Sequence, residues 1–346
     1  MVTINTGIPK HEFQNPADGR LATASPKRAV VNAHSPAKLS TVTIGISAYN
    51  EEDNIGAVLR SLLDQTGEGF VVERILVLCD GCTDGTPRTV SELGRQFSLI
   101  EAVNLAERKG KLIRMNDLFR SNQSDVLITL DADIAIPDPH FVEKMVRVLR
   151  EDSGAVLATA HQVPLRAPSF QGSVIHAIYQ YFDRARLAVP NYEHIENVYG
   201  AGIALKRVFI ENLQIPPTVL GDSWYLFLRA HQVRGFRYVK DAAVYYRAAG
   251  TIREFRMLMQ RVAGMRLKLA QGLGEEVTNL FALPFRYKVR ALTFTLWRSP
   301  VRMTLGVMVI LWTKLFPLRA AAFEKNNWQI LPSTKKAIRS TELPPQ

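Results

Sequence analysis

The sequence predicts an α/β fold in which a mostly parallel sheet is flanked by helices. Two observations predict it. From residue 41 to about residue 250, short apolar segments of strand character alternate with helical segments. This is the pattern of βαβ units in a parallel sheet. Polar motifs directly follow several of these strands, and ligands of such sheets bind at the carboxyl ends of the strands.

The elements follow from local patterns. A buried strand is predicted at residues 42–47, and Asn50 or Asp53 is expected to cap the helix that comes next. The second strand, residues 74–78, leads through a glycine-rich turn to a helix from Thr86 or Pro87. Later strands are predicted at residues 99–103, 126–131, 155–162 and 238–246, and helices at 111–116, 170–187, 222–231 and 285–298.

Positive charge is concentrated in the C-terminal part of the 346-residue chain. Its net charge is +11, and residues 251–346, with 16 basic and 5 acidic residues, carry the whole excess. Seven of the basic residues flank or interrupt apolar segments, which fits an anionic membrane surface better than nucleic acid: Arg286, Lys288, Arg290, Arg298, Arg302, Lys314 and Arg319. A solvated basic tail is the alternative.

Residues 303–313 carry no charge, but a spanning helix needs about 20 apolar residues. We therefore expect an in-plane amphipathic or re-entrant segment, with Trp297, Trp312 and Trp328 at the interface. An ordinary core helix is the alternative. The pattern does not decide whether residues 301–316 span, re-enter or lie on a membrane.

The N-terminal segment and the two cysteines indicate the cellular compartment of the protein. Residues 1–40 are polar and lack the apolar stretch of a signal peptide, so a disordered cytosolic arm is predicted. Cys79 and Cys82, the only two cysteines, have no second ligand cluster for zinc and indicate a reducing compartment.

Asp131 and Asp133 are a candidate metal-binding pair. They end an apolar strand one residue apart, so strand alternation would place them on one side, about 7 Å apart. Such a pair can hold a hard divalent cation and leave coordination positions for substrate phosphates. A helix-capping acid pair is the alternative.

An ordered set of motifs surrounds this pair. Ser47-Ala-Tyr-Asn-Glu51, Asp80-Gly-Cys-Thr-Asp-Gly-Thr86, Gly110-Lys111 with Asn116, Asp131-Ala-Asp133 and Gly221-Asp222-Ser-Trp-Tyr follow one another. The set resembles the family-2 inverting glycosyltransferases of GT-A fold, over roughly residues 41–250. The resemblance implies a nucleotide half at about 41–135 and an acceptor half at about 136–250. The charge pattern separately predicts a basic helical region at 251–346 that associates with membrane.

The resemblance also implies roles for single residues. The expected nucleotide-sugar-binding residues are Tyr49, Glu51, Asp80, Lys111, Asp131 and Arg261; Asp133 is the expected Mg²⁺ or Mn²⁺ ligand and Asp222 the catalytic base. In this reading Glu51 bonds ribose, Asp80 a base N–H, and Lys111 the diphosphate. The alternatives are a helix-start acid for Glu51, a surface lysine for Lys111 and a helix cap for Asp222. Asp84 is expected to shape its turn.

The chain departs from the family pattern in places. Cys79 and Gly221 stand where the family usually has an acid. The change at Cys79 affects the expected recognition of the nucleobase, and the change at Gly221 leaves Asp222 as the single carboxylate for base catalysis. Gln260-Arg-Val-Ala-Gly264 lacks the Trp of processive synthases, which indicates transfer of a single sugar. Residues 245–247 also offer no His as a further metal ligand.

The predicted function is inverting transfer of one sugar from a nucleotide sugar, with UDP favoured over GDP, to a lipid-linked or saccharide acceptor. The predicted location is the cytoplasmic face of a membrane, peripheral or monotopic, without nucleic acid as a partner. Two alternatives remain. One is a phosphatase of haloacid-dehalogenase type, although its Asp-x-Asp lies near the chain start and Ala135 is atypical. The other is a non-catalytic membrane scaffold.

Overall fold

The computed structural model describes residues 39–316 and 333–343. Almost all of the predicted N-terminal arm, and also Arg319 and Trp328, lie outside the described residues. The strands are β1 Ser40–Ala48, β2 Phe70–Asp80, β3 Ile100–Leu105, β4 Val126–Asp131, β5 Ile134–Ala135, β6 Leu157–Leu165, β7 Gly202–Lys206 and β8 Phe236–Arg247. The helices are α1 Ile55–Leu63, α2 Thr86–Gln96, α3 Lys111–Ser121, α4 Phe141–Glu151, α5 Phe170–Arg186, α6 Arg207–Ile210, α7 Asp222–Gln232, α8 Ile252–Leu273, α9 Phe285–Arg298 and α10 Pro300–Leu315.

The strands form one eight-stranded sheet in the order β3-β2-β1-β4-β7-β6-β8-β5. The first four strands are parallel, with β1 between β2 and β4 and with β3 beside β2. Further along the chain, β7 runs antiparallel to both β4 and β6. The carboxyl ends of β1, β2 and β4 therefore meet at one edge, which is where the polar motifs begin.

Apolar layers cover both faces of the sheet. One buried cluster joins β1 to α1, α2 and α4, with Ile44 and Ile46 fully buried. A second joins the other face to α3 and α7 around Leu118 and Phe227. A third, smaller cluster joins α5, α8 and α10 around Ile178. Burial is nearly continuous along β1 and β4, and alternate side chains enter opposite layers, such as Ile128 in the first and Leu127 in the second.

One predicted helix cap was wrong. The N-cap residue of α1 is Asn54, not Asn50 or Asp53. Asn50 instead has a left-handed backbone with φ of 52°, and its side-chain oxygen accepts a hydrogen bond from the Thr83 N–H at 2.9 Å. Asn tolerates this conformation and bonds across turns, so Asn50 joins two loops instead of starting a helix.

Gly81 allows the turn after β2. Its φ is +66°, and a Cβ at this position would lie 2.5 Å from the backbone nitrogen of Arg108. The Asp84 carboxylate then accepts the Thr86 N–H at 3.0 Å, in agreement with the expected turn role of Asp84. The loop before α3 can approach the end of β2 because residue 81 has no side chain.

We expect Gly81→Ala to lower the free energy of unfolding by about 1–3 kcal/mol, because it adds both left-handed strain and a backbone clash. Urea unfolding measures the change. The matched control is Gly272→Ala in α8, where an added Cβ has nothing within 4 Å; it should be neutral or stabilise by up to about 1 kcal/mol. Equal effects in both variants would contradict the proposed close approach.

Candidate active site

The carboxyl ends of β1, β2 and β4 open into one cavity of about 520 Å³. All eight residues predicted as site residues line it: Tyr49, Glu51, Asp80, Lys111, Asp131, Asp133, Asp222 and Arg261. Motifs separated by up to about 200 residues in the chain therefore share one cavity.

Asp80, the last residue of β2, is buried and holds the loop that precedes α3. Its carboxylate accepts the N–H groups of Lys109 at 2.9 Å and Gly110 at 2.8 Å. It also pairs with Arg114, at 2.6 Å from the Arg114 Nε, and both side chains are at most 5% exposed. The carboxylate thus has a structural role that the sequence did not indicate, and its predicted contact with a nucleobase stays a prediction.

Glu51 and Tyr49 follow β1. Glu51 is buried, and its N–H donates to the Thr86 hydroxyl at 2.7 Å. Its carboxylate forms an ion pair with Lys335. The Arg108 guanidinium lies 3.7 Å from the centre of the Tyr49 ring, a cation–π contact. The loop after β1, which contacts the turn after β2 through Thr86, therefore brings an acid and a stacked aromatic ring to the cavity.

Asp131 and Asp133 lie on either side of the strand end. Because β4 ends at Asp131 and β5 begins at Ile134, the expected strand alternation does not relate the two carboxylates. Both still face the cavity. Burial, and then the negative charge of Asp131, raise the pKa of Asp133 to about 7, so added positive charge at this position is favoured.

Lys111, the first residue of α3, connects the two acidic sides of the cavity. Its ammonium bonds to Asp131 and lies 3.9 Å from the Asp222 Oδ2. Burial lowers the pKa of Lys111, but the charges of Asp131 and Asp222 outweigh it and raise the pKa overall. Gly200 lies beside this bridge, because a Cβ there would be 2.3 Å from the Lys111 Nζ.

Asp222 is the first residue of α7, and it is not the helix cap. The N-cap residue is Gly221, with φ of +106°, a conformation that L side chains rarely adopt. This explains why an acid is absent from position 221. The buried Oδ2 of Asp222 has no hydrogen-bond partner within residues 39–316 and 333–343. An unsatisfied carboxylate oxygen in a cavity is suited to accept a proton from a ligand hydroxyl.

Arg261, in α8, completes the predicted set. Burial lowers the pKa of Arg261, while its attraction to Tyr179, Asp133 and Asp131 raises it. The guanidinium is therefore within electrostatic range of both acids, and its expected role in binding the nucleotide sugar stays a prediction.

Comparisons with known proteins agree with this geometry. Residues 43–213 match the model of the family described as Glycosyl transferase family 2. The chain carries a glycosyl transferase family 2 domain. The fold is also that of a mannosyltransferase from Pyrobaculum calidifontis solved with GDP-Man and Mn²⁺, at a TM-score of 0.52 and 18% identity, over 86% of this chain and 81% of that one. The predicted family and the predicted GT-A fold class are confirmed.

Curated relatives match a shorter region. An uncharacterised glycosyltransferase of Synechocystis is 30% identical over 118 residues, 34% of this chain and 37% of that protein. Glucosyl-3-phosphoglycerate synthase of Mycolicibacterium smegmatis is 28% identical over 119 residues, 34% of this chain and 39% of that enzyme. The match therefore spans less than two fifths of each relative.

Several cavity residues of the glycosyltransferase domain and the C-terminal region were not predicted from the sequence. Arg108 stacks on Tyr49 from a loop without a motif. Arg186 pairs with Asp183 and also bonds to the Tyr199 hydroxyl. Lys335 reaches Glu51 from the far end of the chain. Proximity of this kind has no local sequence signal.

The buried pair of Asp80 and Arg114 gives a stability prediction. Arg114→Met leaves the Asp80 charge buried without its partner, so we expect a loss of about 3–5 kcal/mol in the free energy of unfolding. The control is Arg120→Met in the same helix, because Arg120 is 64% exposed and, among the described residues, forms an ion pair only with Asp117. It should cost at most about 1 kcal/mol. Urea denaturation distinguishes the two, and similar losses would contradict the role of the buried pair.

Proposed function

We propose that the chain is a metal-dependent glycosyltransferase that moves one sugar from a nucleotide-sugar donor to an acceptor hydroxyl, with inversion. The observation that carries the proposal is the division of one cavity into two acidic sides. Asp131 and Asp133 form the first side, and Asp222 forms the second, with Lys111 between them. Sugar transfer needs one site that stabilises the departing nucleoside diphosphate and a second site that accepts the proton of the acceptor hydroxyl. The two acidic sides of the cavity suit these two tasks.

The donor set fits a divalent cation. Asp133 and Asp131 offer hard carboxylate oxygens, the ligands that Mg²⁺ and Mn²⁺ prefer. The described part of the chain holds no group of three or more His, Cys, Asp or Glu residues that could bind a metal. We propose that Asp133 binds the cation, with the remaining positions filled by donor diphosphate and water. The bound cation would stabilise negative charge on the leaving diphosphate.

In the proposed reaction, Asp222 takes the proton of the acceptor hydroxyl. The acceptor oxygen then attacks the anomeric carbon, while the bond from that carbon to the diphosphate oxygen breaks. A single displacement of this kind inverts the anomeric centre. Lys111 and Arg261 supply positive charge beside the departing diphosphate. The leaving nucleoside diphosphate and the new glycoside account for all atoms, and Asp222 leaves the step protonated.

For the donor, we propose that Glu51 contacts ribose hydroxyls and that the stacked ring of Tyr49 lies beside the base. We propose that a UDP sugar is favoured over a GDP sugar as the donor. The mannosyltransferase of similar fold was solved with GDP-Man, so both nucleotides belong in the first binding experiment.

Two substitutions separate the proposed roles. Asp133→Asn should abolish metal-dependent binding of UDP or GDP in calorimetry. Asp222→Asn should leave that binding intact and reduce sugar transfer about 10²–10⁴-fold, because only the proton acceptor is lost. Asp84→Asn, in the turn outside the cavity, is the control. Should the folded wild-type protein bind no nucleoside diphosphate with Mn²⁺ present, the scaffold alternative would be favoured.

We further propose that helices α9 and α10 bind an anionic membrane surface. Several large apolar side chains on these helices are at least half exposed: Phe285, Trp297, Val301, Met308, Leu311 and Leu315. No helix within residues 39–316 and 333–343 is long and apolar enough to cross a membrane. An in-plane arrangement fits the predicted peripheral position.

Charge identifies this surface more closely. A depression between α5 and the α9–α10 junction is lined by Arg166, Arg298 and Arg302 together with His176, and no carboxylate of the described part of the chain lines it. Exposed arginines beside exposed apolar residues complement anionic lipid headgroups. We therefore propose a lipid-linked or membrane-proximal acceptor on the cytoplasmic face, because enzyme and acceptor would share one surface.

The membrane proposal predicts that Trp297→Glu together with Val301→Glu reduces sedimentation with phosphatidylglycerol vesicles at least about tenfold. Both residues are at least 65% exposed, so folding should be unaffected. Val208→Glu in α6, at a position 57% exposed, should not change sedimentation. If the double variant sediments like the wild type, or if neutral vesicles bind equally, the proposed surface is wrong and a soluble acceptor is favoured.

A further inference from the structure

The segment Ser333–Leu343, which we call the C-terminal strap, crosses the mouth of the cavity. Its residues Thr334 and Lys335 line the cavity together with Glu51 and Asp133. We infer that the strap is a lid of the donor site and that Lys335 binds the donor diphosphate. The inference rests on the proposed function, since it assigns a further donor-binding residue to the same reaction.

The first end of the strap is fixed by hydrogen bonds to three different elements. The Ser333 hydroxyl donates to the Glu254 carboxylate at 2.7 Å, and the Ser333 N–H donates to the same carboxylate at 3.0 Å. The Gly250 N–H donates to the Ser333 hydroxyl at 2.9 Å. The Asn54 side-chain amide donates to the Lys335 carbonyl at 2.9 Å, across 281 residues of sequence. The backbone of residues 333–335 is therefore held against α1 and α8.

Arg247, the last residue of β8, fixes the other end. Its Nε donates to the Lys336 carbonyl at 2.8 Å. Its two terminal nitrogens pair with both oxygens of Glu342, at 3.1 and 2.6 Å. Two parallel bonds from one guanidinium to one carboxylate give strength and direction. Lys335 thus lies between two anchored points, so its backbone position does not depend on its side-chain contacts.

The ammonium of Lys335 lies where a donor would pass. It pairs with Glu51 and is 3.8 Å from the Asp133 Oδ2. Glu51 is the proposed ribose contact, and Asp133 is the proposed ligand of the diphosphate-bound cation. Because the phosphates follow the ribose in a nucleoside diphosphate, a donor that spans these two acids brings phosphate oxygens within reach of Lys335.

The flexible stem of lysine makes this exchange of partners possible. Its ammonium is a compact charge on four rotatable carbons, and its three donors suit phosphate oxygens. When ribose takes the Glu51 carboxylate, the ammonium can turn to the diphosphate without movement of the strap. Lys335 would then complement Lys111, which approaches from the opposite side through Asp131.

Calorimetry with UDP and with uridine, each with Mn²⁺, tests the inference, and GDP with guanosine replaces them if the protein prefers guanine. Lys335→Met should weaken binding of the diphosphate about tenfold or more, the value of one charge-assisted hydrogen bond. Binding of the nucleoside should not weaken. Lys336→Met removes the same charge from an exposed neighbour whose described contact is only its carbonyl, and it should bind both ligands like the wild type.

The direction of the change in diphosphate affinity shows whether Lys335 binds the donor or competes with it. If Lys335→Met tightens diphosphate binding, Lys335 competes with the donor and the inference is overturned. Equal affinities of the Lys335 and Lys336 variants would also overturn it. Failure of the wild type to bind any nucleoside diphosphate is a different outcome, because it removes the proposed function itself.

Proteolysis tests the lid without measuring activity. Lys336 and Arg339 are exposed on the strap, so trypsin should cleave there slowly in the free protein and more slowly with UDP and Mn²⁺. Glu342→Gln weakens the anchor at Arg247 without replacing a residue that lines the cavity, so it should speed cleavage and weaken UDP binding by a smaller factor than Lys335→Met. Faster cleavage on addition of UDP would show that the donor displaces the strap, contrary to the inference.

Discussion

The buried ion pair between Asp80 and Arg114 is the constraint on which the cavity depends. Asp80 ends β2 and Arg114 lies one turn into α3, so the pair joins the sheet to the helix that follows the loop. The same carboxylate accepts two backbone N–H groups of that loop. A buried charge without its partner costs several kcal/mol, so the loop has few alternatives. The start of α3 is thereby fixed, and Lys111 is its first residue.

Helix α3 then positions the side of the cavity that holds Asp222. The side-chain amide of Asn116 donates to the Ile215 carbonyl and accepts the Ile215 N–H, each at 2.9 Å. This holds the segment that leads to Gly221 and α7 against α3. One helix therefore carries Lys111 beside Asp131 and also supports the segment that presents Asp222. The 3.9 Å between Lys111 and Asp222 is a consequence of two anchors on α3 and not of a single favourable contact.

Strands β1 to β4 and the polar motifs that follow them could be predicted because their sequence signals are local. Buried strands, glycine turns and carboxylates at strand ends all lie within windows of about ten residues. The eight predicted site residues line one cavity for that reason. The cap of α1 was wrong because Asn, Glu and Asp at positions 50–54 all suit a helix start, and only the contact of Asn50 with Thr83 decides between them.

The remaining contacts could not be predicted from the chain because they join distant segments. The antiparallel pairing of β7 with β4 and β6 joins segments that are far apart in the sequence. The strap depends on Arg247 and Glu254, which resemble ordinary surface charges in the sequence. Nothing near Lys335 distinguishes it from Lys336, and only the fold places one ammonium beside Glu51 and leaves the other exposed.

Gly221 shows how a departure from a motif can preserve a site. A left-handed residue with φ of +106° begins α7, and a Cβ there would lie 3.1 Å from the Trp224 ring and 3.2 Å from Met265. An acid at this position would therefore carry backbone strain as well as a close contact. Glycine removes both and lets Asp222 occupy the first turn, where the helix dipole stabilises its charge. One carboxylate is enough for a single displacement, because only one proton leaves the acceptor. The proposed chemistry therefore does not need an acid at position 221. The left-handed turn that presents Asp222 favours glycine at that position instead.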